Sequence, residues 1–145
     1  FLDEIHKWRT FPYAEAKAGL EQADRMLREA RTQVFSPSSD GPALPLAVLF
    51  LPAVNKVFTA QARIDRRIAA LRCVEAVRLY AAAHGGKLPA RLEDVKEAPV
   101  PSDPYLGKPF VYRLGNGVAT LEGPPPDGEA ANAGNALTYE LVLKK

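Results

Sequence analysis

The stretch Leu79-Tyr80-Ala81-Ala82-Ala83-His84-Gly85-Gly86-Lys87-Leu88-Pro89 decides how this chain folds, because a long helical pattern stops there and an extended one begins. Behind it, apolar residues recur every three or four positions. The spacing predicts a helix that starts between residues 44 and 52 and runs to about residue 83, with Val54, Val57, Phe58, Ile64, Ile68, Leu71, Val74 and Val77 as its buried stripe. Pro52 either starts the regular part of this helix or kinks it. Glycine accepts the left-handed backbone that other residues resist, so Gly85 and Gly86 end the helix and Lys87-Leu88-Pro89 leaves it extended. His84 stands at the carbonyl end of the helix, where an imidazolium interacts favourably with the exposed carbonyls, a structural role rather than a catalytic one.

Beyond this stretch, residues 89–95 read as one helical turn that puts Leu92 and Val95 on the core, and Pro99, Pro101 and Pro104 then forbid regular structure. Residues 110–114 and 118–121 alternate about Gly115-Asn116-Gly117, a turn suited to positive φ, which predicts a β-hairpin. Residues 137–143 (LTYELVL) alternate as a third strand. The intervening GPPPDGEAANAGN (123–135) is polar and rich in Pro and Gly, and is expected to be an exposed, mobile loop.

Working back from the long helix, residues 2–9 carry a short helical pattern, residues 12–34 an amphipathic one of about six turns, and residues 35–42 (FSPSSDGP) a reversing loop. The expected fold is α+β: a single domain over 1–145, with a helical hairpin in residues 1–43 packed along the long helix, and that helix with its small antiparallel sheet in residues 44–145.

Three fragments carry a family resemblance: Leu51-Pro52-Ala53-Val54-Asn55, the Leu79 to Pro89 stretch quoted above, and Asp103-Pro104-Tyr105-Leu106-Gly107-Lys108-Pro109-Phe110-Val111-Tyr112. In order and spacing, residues 52–113 resemble the soluble half of a type II secretion pseudopilin. The matching positions are Pro52, Tyr80, Gly85, Pro89, Asp103, Pro104, Gly107, Pro109 and Tyr112. With helices ahead of it, the chain looks similar to membrane-anchored bacterial proteins of planctomycete type that carry such a module after a helical segment. The resemblance implies a pseudopilin-like fold, an address on the extracytoplasmic side of the cytoplasmic membrane, a tether through a segment ahead of Phe1, and partners among envelope proteins or copies of itself. That family carries a calcium site in its C-terminal loop; here the loop offers Asp127, Glu129, Asn132 and Asn135 as oxygen donors without the family's ligand spacing, so they are expected to be solvated surface rather than ion ligands.

The rest of the sequence sets bounds. At 145 residues, 47% apolar, 25% charged and net +2, the composition is that of an ordinary folded domain and specifies neither tight nucleic-acid binding nor an acidic substrate. The most apolar run, residues 44–54 (LPLAVLFLPAV), is about half of the ~20 residues needed to span a bilayer. Cys73 is the sole cysteine and is expected to be a small buried hydrophobe. Two histidines and no nucleophile, zinc or phosphate-loop motif point away from an enzyme and from any bound cofactor. Lys56, Arg63, Arg66 and Arg67 share one helix sector, expected to be a solvated face. The expectation is a non-enzymatic interaction module, with a pseudopilus subunit proper, or a basic-helix binder of nucleic acid or anionic lipid, as alternatives.

Overall fold

A computed structural model describes residues 11–34 and 46–143, so the helix expected at 2–9 and the loop at 35–42 lie outside the described residues. The chain divides into two compact units, Phe1–Gln61 and Ala62–Lys145.

In the first unit, α1 (Tyr13–Val34) starts behind Pro12, whose carbonyl accepts from the amides of Glu15 and Ala16 at 3.0 Å. Proline suits this place because its missing N–H would be unpaired there anyway. Ala16, Leu20 and Ala23 are buried at the expected spacing, and Tyr13 Oη lies 3.4 Å from Thr59 Oγ1 of the next helix. That helix, α2 (Leu46–Ala83, 38 residues), runs through Pro52 without interruption.

The second unit packs the C-terminal part of α2 against a sheet of order β1-β2-β3, all antiparallel: β1 (Val111–Gly115), β2 (Val118–Gly123) and β3 (Leu137–Val142). The hairpin between β1 and β2 turns on Asn116 (φ 52°) and Gly117 (φ 77°), a two-residue connection whose twist matches that of the strands. The core is formed by Ala69, Ala70, Cys73 and Val77 of α2, Leu92 of a 3-10 turn (Leu92–Asp94), Phe110, Ala119 and Leu121 of β2, and Leu141 of β3. Leu137 and Tyr139 pack against this cluster, so β3 covers part of the helix as expected.

The helix face inside that core is not the one its periodicity selects. Val57, Ile64, Ile68 and Leu71, expected to be buried, are between 47% and 67% exposed, and among the described side chains of the expected stripe only Val77 is fully inside. The buried positions are Ala62, Arg66, Ala69, Ala70, Cys73, Ala76, Val77 and Ala81. Size is the reason. Small side chains let the sheet and the proline-rich segment approach the helix axis and interdigitate without voids, which bulky β-branched residues on that side would prevent.

Candidate functional site: a buried arginine clasp beside a two-faced helix

Arg66 lies in the middle of the small-residue face of α2, flanked one turn away on either side by Ala62 and by Ala69 and Ala70. It is 3% exposed, which corrects its expected place on a solvated basic face. Its guanidinium is engaged on three sides. Nε and Nη2 donate to Asp103 Oδ2 at 2.8 and 2.7 Å, Nη1 donates to Asn135 O at 2.6 Å, and Nη2 also donates to Pro124 O at 2.6 Å. The Tyr105 ring lies 5.1 Å from the guanidinium carbon, within reach of a cation–π contact. A buried charge is tolerated only when paired and hydrogen-bonded, and Arg66 meets that condition with a carboxylate and two carbonyls.

Asp103 is 1% exposed and sits at the head of a turn built from backbone bonds. Its Oδ1 accepts from the Tyr105 amide at 2.9 Å, its carbonyl from the Gly107 amide at 2.8 Å, and its own amide donates to Lys108 O at 2.8 Å. Gly107 takes φ 67°, a conformation that disfavours a side chain. Asp103, Pro104 and Gly107 thus form one compact turn that presents a carboxylate to Arg66, after which Pro109 leads into β1, an edge strand.

The loop between β2 and β3 is largely exposed, as expected, but is fastened to Arg66 at both ends. Pro126 and Asn135 are buried. Asn135 Oδ1 accepts from the Asn132 amide at 2.8 Å, and its Nδ2 donates to Glu129 Oε2 and to Ala130 O, both at 3.0 Å. Asn132 Oδ1 accepts from the Gly134 amide at 2.8 Å. Arg63 and Arg67 also face this loop: Arg67 Nη2 lies 3.5 Å from Ala133 O, and a Cβ on Gly134 would stand 3.2 Å from the Arg63 guanidinium carbon. Asp127 points away into solvent, 3.9 Å from Lys108 Nζ. Of the four calcium candidates, three therefore join in hydrogen bonds that organise the loop and Asp127 does not join them. Among the described residues no group of three or more His, Cys, Asp or Glu side chains is placed to hold a metal ion.

Gly123, expected as the first residue of the exposed loop, belongs to β2. It faces inward at the end of β2, and a Cβ there would come within 2.8 Å of Arg66 Nη2 and 3.0 Å of Leu137 Cγ, so glycine is what lets the guanidinium reach the sheet. Of the two, Gly123 carried a signal, since it ends an alternating strand; Arg66 shares the spacing of Ala62, Ala69 and Cys73, but a charge at that spacing reads as solvated.

At the far end of α2, Gly85 (φ 62°) and Gly86 (φ 80°) close the helix, with the Gly86 amide donating to Ala81 O at 2.8 Å. The His84 ring stacks on Tyr80 at 3.9 Å between centroids, with Nδ1 2.8 Å from Tyr80 O and 3.5 Å from Glu97 Oε1. Tyr112 Oη donates to Pro89 O at 2.8 Å, and burial, then the nearby Tyr80, raises its pKa above the ordinary tyrosine value. The motif positions Tyr80, Gly85, Pro89 and Tyr112 thus fix how the chain leaves the helix and meets β1. Cys73 is fully buried, its thiol donates to Pro101 O at 3.4 Å, and burial pushes its pKa to about 11.

No family model, curated protein or solved structure matches the chain.

Proposed function

We propose that this protein is a non-enzymatic interaction module of the bacterial cell envelope, built like the soluble part of a type II secretion pseudopilin and held on the extracytoplasmic side of the membrane by a tether. The observation that carries the reading is the use made of the motif residues. Tyr80, Gly85, Pro89, Asp103, Pro104, Gly107, Pro109 and Tyr112 all serve one unit, in which a long helix is capped, crossed by a proline-rich segment and joined through the Asp103 turn to a three-stranded sheet. Among the described residues the buried polar side chains, Arg66, Asp103 and Asn135, are bonded to backbone, to one another or to Glu129. The surface groove beside α2, of about 550 Å³, is lined mainly by aliphatic residues and prolines. The basic-helix alternative is not favoured, because Arg66 is buried and Arg63 and Arg67 turn toward the β2–β3 loop.

Among the described residues no helix is long and apolar enough to cross a membrane, so the tether is a matter for direct test. In cells expressing the complete protein, protease added after the outer envelope is opened should degrade it while a cytosolic marker survives. Degradation only after the cytoplasmic membrane is lysed would refute the address.

A further inference from the structure

α2 is apolar on two opposite sides. Its inner side carries the small residues Ala62, Ala69, Ala70, Cys73 and Ala76, and at about 100° per residue Ile64, Ile68, Leu71 and Leu79 fall on the side facing away, all half exposed. Large apolar side chains left half exposed next to one another mark an interaction surface. The groove between this outer face and Ala98-Pro99-Val100-Pro101 extends the same apolar surface.

We propose that the outer face is covered by the same face of a second copy of this chain, with the two α2 helices antiparallel; this rests on the reading of the chain as an interaction module and names its partner. Ile64, Ile68, Leu71 and Glu75 follow one another at intervals of four, three and four residues, the seam of a left-handed helix pair. The charges beside the seam set the direction. Asp65 and Arg72 lie on one flank, seven residues apart, Arg67 lies on the other, and Glu75 lies within the seam; all are exposed. In a parallel pair in register each flank faces the other flank of its partner, so Arg67 of one copy meets Arg72 of the other and Glu75 meets Glu75 within the seam. Reversing one helix about the layer where Ile68 of one copy packs on Leu71 of the other faces like flanks together, sets Asp65 opposite Arg72 and lays Glu75 over Ile64. By symmetry each contact occurs twice. Glu75 is already bonded to Arg78 at 2.9 Å within its own chain, which lowers the cost of enclosing it. Opposite charges at the flanks of a helix pair choose orientation and register more than they add affinity.

The test is sedimentation of the full chain over a range of concentrations, with circular dichroism confirming that each variant is folded. The wild type is expected to dimerise reversibly and Ile68→Glu to abolish the dimer. Asp65→Arg and Arg72→Asp should each weaken dimerisation about tenfold at low salt, and the double exchange Asp65→Arg/Arg72→Asp should return it to within about threefold of wild type. A wild type that stays monomeric, a dimer indifferent to Ile68→Glu, or a double exchange no better than its single members would overturn the proposal. A monomer found on the extracytoplasmic side would overturn this pairing and leave the module reading standing. A dimer of the expected charge pattern in a cytosolic protein would do the reverse.

Discussion

Replacing Arg66 with methionine keeps an unbranched, flexible side chain but removes every N–H donor. Asp103 Oδ2, Asn135 O and Pro124 O then lose donors that stand 2.6 to 2.8 Å away, the first two in buried positions. Removing one member of a buried ion pair costs about 3–5 kcal/mol, since the remaining charge is left without compensation. Each stranded carbonyl adds about 1 kcal/mol, and the new apolar contacts return a similar sum, for a net loss of roughly 4 kcal/mol. Small domains hold about 5–15 kcal/mol in all and shift Tm by about 4–8 °C per kcal/mol, so the expected fall is roughly 15–30 °C. Urea unfolding followed by circular dichroism gives the free energy directly. Arg66→Lys, which keeps the charge but loses the fork, should cost about half as much. Arg66→Met combined with Asp103→Leu should be at least ~2 kcal/mol more stable than the two single losses add up to, because an apolar pair strands no charge. A loss below about 1 kcal/mol for Arg66→Met, or strict additivity in the double variant, would refute the clasp as the feature that holds helix, turn and loop together.

Gly123→Ala should cost about 1–3 kcal/mol by driving a methyl into the Arg66 guanidinium, measured by the same unfolding experiment, whereas alanine at the uncrowded Gly115 should cost less. The Cys73 thiol ionises near 9 in the unfolded chain but holds its proton to about 11 in the native one, so stability falls as pH rises between those values, by about 2–3 kcal/mol, and the fall should be absent in Cys73→Ala. Tyr112→Phe deletes the bond to Pro89 O and should cost about 1 kcal/mol in a thermal melt. Saturating calcium should leave Tm unchanged, because the carbonyls at both ends of the β2–β3 loop already bond a guanidinium; a rise of several degrees would show that the loop binds the ion after all.

The sequence announces those parts of the fold that single residues impose on the backbone. Gly85 and Gly86 stop α2, Asn116 and Gly117 turn the hairpin, and Pro99, Pro101 and Pro104 keep the connecting segment irregular, because each of these residues restricts or frees φ regardless of its neighbours. The alternation of residues 137–143 likewise gives a strand with Leu141 inward. The rotation of α2 about its axis was not legible. Periodicity weighs side chains by hydrophobicity, so Ile64, Ile68 and Leu71 outrank Ala62, Ala69 and Ala70, whereas packing against the sheet selects for smallness. Arg66 was misplaced for a related reason: a charge in a helix is normally solvated, and its burial depends on Asp103, Pro124 and Asn135, which lie far along the chain and show no local pattern. The hydrogen bonds within the loop were hidden in the same way, since Asn132 and Asn135 read as solvated polar residues until the fold sets them against each other.

The two faces of α2 join the fold to its proposed use, and hydroxyl-radical footprinting of the chain, with oxidation at each residue read by mass spectrometry, tests them most directly. At concentrations low enough to keep copies apart, Ile64, Ile68, Leu71 and Leu79 should be oxidised readily while Val77, Leu121 and Tyr105 are protected. Protection of Ile64, Ile68 and Leu71 in the dilute chain, with labelling of Val77, would mean that the helix is turned the other way and would contradict the account.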